Sequence, residues 1–66
     1  MSTLLQERPR VPTGLIKSFG ELGPKYEVLE LADMVDGHWL VHIRLIETSE
    51  ETVYRYDRMM ADPEAL

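Results

Sequence analysis

The sequence predicts an α+β domain: a three-stranded antiparallel β-meander with a short helical turn before it and a short C-terminal helix after it. Three observations predict this. An Asp36-Gly37 pair lies between two apolar runs, β-branched and aromatic residues concentrate from Tyr26 to Tyr56, and turn-forming Gly and Pro residues punctuate the chain before that stretch.

Residues 1–13 combine polar side chains with Pro9 and Pro12, each of which steers its preceding residue away from helix. They are expected to form a disordered N-terminal arm, with residues 14–66 as the single folded domain. Leu15, Ile16 and Phe19 then recur at a spacing that suits one helical turn, with Gly20 at the stop position. Gly23-Pro24 marks a second break.

Strand one is read as Tyr26 to Met34, strand two as Trp39 to Glu47 and strand three as Thr52 to Tyr56. Asp-Gly between apolar runs is the strongest short-range hairpin signal, because a type I′ turn needs positive φ at both central positions. Centring that turn on Asp36-Gly37 sets Met34 opposite Trp39 and Val28 opposite Leu45. Centring the second connection on Ser49-Glu50 sets Leu45 opposite Tyr54, and Arg44 opposite Arg55. At the C-terminus, Asp57 is placed to cap a helical turn through Ala61, which Asp62-Pro63 should stop.

Side-chain alternation sorts these strands into two faces. One collects Tyr26, Val28, Ala32, Met34, Trp39, Val41, Ile43, Leu45, Tyr54 and Tyr56, with Glu30 as the exception, and is the expected core. The other carries Leu29, Leu31, Leu40, Ile46 and Val53 among Glu27, His42, Arg44, Arg55 and Asp57. A half-exposed meander should alternate apolar with polar, and this face does so poorly. Two short flanking segments are too small to cover both faces, so one face is expected to pack against another copy or another protein. Leu29, Leu31, Leu40, Arg44, Ile46, Val53 and Arg55 are the candidate interaction residues.

Size points the same way. A chain of 66 residues buries only about 60% of the surface its unfolded form exposes. Small domains therefore often add disulfides, a metal or a second subunit. Cysteine is absent, which removes disulfides and thiolate metal sites. The N-terminus lacks the apolar run of a signal peptide, and no segment approaches the roughly 20 apolar residues of a membrane span. A cytoplasmic protein without membrane attachment is expected.

Net charge is -5 and uneven. Residues 1–25 carry Arg8, Arg10, Lys17 and Lys25 against Glu7 and Glu21, or +2, while the rest carry ten acids against Arg44, Arg55 and Arg58, or -7. An acidic body disfavours nucleic-acid binding, which clustered Lys and Arg drive. The aromatic residues are thus assigned to core or interface rather than to base stacking. His38 and His42 lie roughly 13 Å apart along one strand, too far to meet on one ion, so no metal is assigned. No nucleophile motif surrounds Ser18, Ser49 or Thr52, and Gly14, Gly20, Gly23 and Gly37 form no phosphate-cradling loop. No enzyme, cofactor or small-molecule ligand is predicted. Arg44 and Arg55 each need an anion, which Glu27 and Asp57 can supply within the chain; an acidic segment of a partner protein is the alternative.

Ser18-Phe19-Gly20, Gly23-Pro24-Lys25-Tyr26-Glu27-Val28, Asp36-Gly37 with Trp39, Tyr54-Arg55 and Asp62-Pro63-Glu64-Ala65 together resemble a family of short, uncharacterised bacterial proteins known as a domain of unknown function. The resemblance spans about residues 15–65 and implies small stand-alone proteins, with no activity or site residue to carry over. The function read from all this is a non-enzymatic protein-interaction or accessory module, acting as a homodimer or with a larger partner. The alternative is a nucleic-acid-associated regulator using the basic arm and the aromatic face.

Overall fold

The computed structural model describes residues 8–65, in which four strands form one antiparallel sheet, followed by a helix. The strands are β1 (Ile16–Ser18), β2 (Lys25–Val35), β3 (His38–Leu45) and β4 (Glu51–Arg55), in that spatial order, and the helix is α1 (Tyr56–Ala61). The α+β class holds, and the meander gains a strand.

That strand replaces the helical turn expected at Leu15 to Phe19. Three apolar residues fit one turn of helix or a short strand equally well, and pairing decides between them. Ile16, Lys17 and Ser18 lie opposite Glu27, Tyr26 and Lys25. The loop back to β2 closes with the Phe19 N–H donating to the Pro24 carbonyl at 3.0 Å. Gly23 is required there, because a Cβ would overlap the Phe19 carbonyl oxygen.

The first hairpin turns as the Asp-Gly pair predicts, with φ of 52° at Asp36 and 79° at Gly37, and Met34 faces Trp39. Farther down, however, Leu31 faces Val41, and Val28 faces Ile43 rather than Leu45. The register shifts twice, between Val28 and Leu31 and again between Leu31 and Met34, so β2 spends two extra residues against β3. These bulges account for the polar exception on the core face. Glu30 is set outside and stays exposed, while Leu31 takes the position opposite buried Val41. Leu31 therefore moves from the expected interaction face to the core side.

The second hairpin differs by four positions from the expected pairing. Val41, not Leu45, faces Tyr54, and Arg44 faces Glu51 rather than Arg55. The chain leaves β3 at Leu45, whose N–H bonds the Glu50 carbonyl at 2.8 Å, and turns through Ser49 at φ 64°. Because the shift is even, no β4 side chain changes face.

Helix α1 begins at Tyr56, its cap two residues before the expected one. Arg55 stands at its N-cap without a side-chain bond, and Asp57 sits in the first turn instead of capping. Asp62 ends it as predicted, its N–H reaching the Arg58 and Met59 carbonyls. Residues 63–65 then return to β1: the Ser18 N–H donates to the Pro63 carbonyl at 3.1 Å and the Ala65 N–H to the Ile16 carbonyl at 2.8 Å.

Tyr26, Val28, Val41, Ile43 and Met59 form the buried core, flanked by Val11, Leu15, Phe19, Leu45, Tyr54 and Tyr56. Helix α1 supplies Met59 and packs under β3 and β4. Of the arm expected over 1–13, residues 1–7 lie outside the described part. Its end is tied to the same side: the Tyr56 hydroxyl donates to the Arg10 carbonyl at 2.8 Å, and Val11 touches the core. Helix α1 and Arg10–Val11 thus lie on the inner face, while Ile46 and Val53 on the outer face stand exposed. The β2–β3 ribbon runs on past β1 and β4, exposing Met34 and Val35, which suits the 43 × 21 × 20 Å shape.

Candidate functional site

The outer face is a row-by-row mosaic of charge and apolar surface. One row across the sheet reads Ile16, Glu27, Arg44, Glu51; the next pairs His42 with Val53; the next pairs Leu40 with Arg55. Arg44 donates to the Glu27 carboxylate, so the anion read from the sequence as its partner is the one it takes. Arg55 likewise grips Asp57 with two nitrogens, at 3.1 and 2.6 Å, and that bond holds the Asp57 carboxyl below the usual carboxylate range. Both pairs are solvent-accessible, so they orient side chains more than they stabilise the fold.

Of the candidate interaction residues, Leu40, Arg44, Ile46, Val53 and Arg55 share this face, and Leu29, following inward-facing Val28, begins its bulged margin. Leu31 does not join them. Ile46 and Val53 are nearly half exposed. The Ile46 N–H is bonded to the Lys25 carbonyl, which holds it at the end of the face near the β3–β4 turn.

Beneath this face lies a polar lock. Asp62 Oδ2 accepts hydrogen bonds from the Tyr26 hydroxyl at 2.7 Å and the Tyr54 hydroxyl at 2.9 Å. Phe19 packs against both rings, with centroids 4.5 and 5.0 Å away. Burial together with the carboxylate raises both phenols' pKa values. Close by, Lys17 is buried on the inner side of β1 and donates to the Met59 carbonyl at 2.6 Å and the Met60 carbonyl at 3.4 Å. These carbonyls lie at the end of α1, where the Met59 carbonyl also accepts from the Asp62 N–H and where a cation is favoured.

Sequence reading missed both groups. Lys17 reads as a surface residue until β1 is recognised as a strand, when its position between Ile16 and Ser18 turns it inward. Two tyrosines on the core face were a signal that a buried acceptor was needed, but nothing local pointed to Asp62. The segments Ser18-Phe19-Gly20, Tyr26, Tyr54 and Asp62-Pro63 converge on this lock. The tyrosines are consequently engaged inward rather than displayed.

No cavity opens among the described residues, and no three His, Asp or Glu side chains there gather closely enough to hold an ion. His38 lies opposite Val35 at the hairpin turn and His42 opposite Val53. No helix among the described residues is long and apolar enough to cross a membrane.

Comparison with known proteins supports the family resemblance and extends it into the N-terminal arm. The model of a family of unknown function, DUF5397, matches residues 4–66. An uncharacterized protein of Haemophilus influenzae is 42% identical over 62 residues, covering 92% of this chain and 98% of the relative.

Proposed function

The chain belongs to this family of unknown function, and on that footing we propose that it is a cytoplasmic, non-enzymatic module that works by protein contact, offering its outer sheet face to a second copy or a larger protein. The observation that supports this is the one-sided cover. Helix α1, Val11 and Phe19 pack on the inner face, while Leu40, Ile46 and Val53 stand outside around ion-paired arginines. An apolar surface studded with oriented charge gives both affinity and selectivity of partner.

Sedimentation of the purified chain, together with capture from its native cell, tests the reading with Leu29→Glu set against Glu50→Lys. Association lost in the first variant and retained in the second is the expected result. A compact monomer at high micromolar concentration that captures nothing would overturn it.

A further inference from the structure

The two edges of the sheet are treated differently. The β1 edge is covered by residues 63–65, whose backbone bonds Ile16 and Ser18. The β4 edge is bare: among the described residues no backbone hydrogen bond runs from Glu51–Arg55 to anything but β3 and the first turn of α1. Edge strands are templates for pairing unless proline, lysine, a bulge or a covering segment blunts them. Strand β4 reads Glu-Thr-Val-Tyr-Arg, without proline or lysine, and its register with β3 is unbroken.

Which of its groups face outward follows from the turn. The Leu45 N–H bonds the Glu50 carbonyl, and hydrogen-bonded pairs alternate along an antiparallel ladder. Thr52 and Tyr54 therefore bond inward to Ile43 and Val41, and Glu51, Val53 and Arg55 direct their backbone groups to the open edge. Arg55 caps α1, so its carbonyl takes the first helical bond. Its N–H is left for the edge.

We propose that two copies of this chain pair antiparallel through their β4 edges, about a two-fold axis at Val53, to form one continuous eight-stranded sheet. The strand is self-complementary about that point. Val53 meets Val53 of the second copy, Glu51 meets Arg55, and Arg55 meets Glu51. Four backbone bonds close the seam: Val53 with Val53 in both directions, and each Arg55 N–H to the opposite Glu51 carbonyl. The pairing also extends the charge row already present on the outer face, giving Glu27, Arg44, Glu51 and then Arg55 of the second copy, with opposite signs directly opposed at every step. This inference rests on the protein-contact reading and adds to it a self-pairing at the sheet edge, which joins the outer faces of two copies into one.

Sedimentation velocity and amide hydrogen exchange on the full chain test it. A dimer is expected, with Val53 and Arg55 amides that exchange more slowly as concentration rises. Glu51→Arg or Arg55→Glu alone opposes like charges at two places and should weaken the dimer by roughly tenfold or more. The combined Glu51→Arg and Arg55→Glu variant should recover most of that loss. Val53→Lys, at an exposed position, should give a folded monomer. A wild-type monomer throughout overturns the seam, as does a dimer indifferent to all four variants. The contact reading is judged separately, by whether Leu29→Glu loses an association that Glu50→Lys keeps.

Discussion

Replacing Asp62 by Ala lowers the unfolding free energy by about 2–4 kcal/mol, because two hydroxyls inside the protein then lose their acceptor at once. Tyr26 is fully buried and Tyr54 partly so, and both donate to the same carboxylate oxygen. The Gly20 N–H reaches the other oxygen at 3.4 Å, so the change also loosens the β1–β2 loop. Asp62→Asn keeps one acceptor and should lose less. Urea denaturation followed by Trp39 fluorescence measures both. A loss under about 0.5 kcal/mol for the alanine variant, as ordinary surface sites give, would show that the lock is unimportant. The same lock gives a pH dependence of known sign. The phenol pKa values are raised in the folded state, so this stabilisation is complete below the ordinary tyrosine pKa of about 10 and is lost as pH climbs beyond it. Alkaline unfolding should therefore begin near that pH and be blunted in a variant carrying Tyr26→Phe and Tyr54→Phe.

Lys17→Met should cost about 1.5–3 kcal/mol, the range for a hydrogen bond to a charged group. Methionine retains most of the buried stem and removes the ammonium, leaving the Met59 and Met60 carbonyls without their cationic partner. Lys17→Ala loses the packing of the stem as well and should cost more. Because the contact is buried, the loss should be nearly independent of salt, unlike that of a surface pair. Hydrogen exchange supplies the second readout: amides at the end of α1 should lose protection before those of β2 and β3. Equal loss across the whole sheet would mean that Lys17 acts only as core filling.

The elements legible in the sequence share a local cause. Asp36-Gly37 carries its own turn geometry, so the hairpin and the Met34–Trp39 pair could be placed from it directly. The meander, the stop at Asp62 and the Arg44–Glu27 and Arg55–Asp57 pairs likewise involve close neighbours in sequence or in the ladder. Errors grew with distance from that turn. Two bulges in β2 changed Leu31's face and pushed Glu30 out, because alternation cannot reveal where a strand holds an extra residue. The β3–β4 pairing moved by four, since Glu47-Thr48-Ser49-Glu50 contains no residue that dictates one turn centre.

By itself, the sequence determined the α+β class, the first hairpin, the side to which β3 and β4 turn their residues, and most of the outer-face residues. Two-residue periodicity and one strongly preferred turn suffice for these. Only the tertiary structure decided that Leu15 to Phe19 contributes a strand, that the C-terminus returns to cover β1, and that Asp62 and Lys17 are the polar groups joining helix to sheet. The Lys17 and Tyr26–Asp62 bonds join residues 36 to 43 positions apart. Their stability arises from burying and satisfying polar groups together, a property of the assembled core that no local stretch of chain contains.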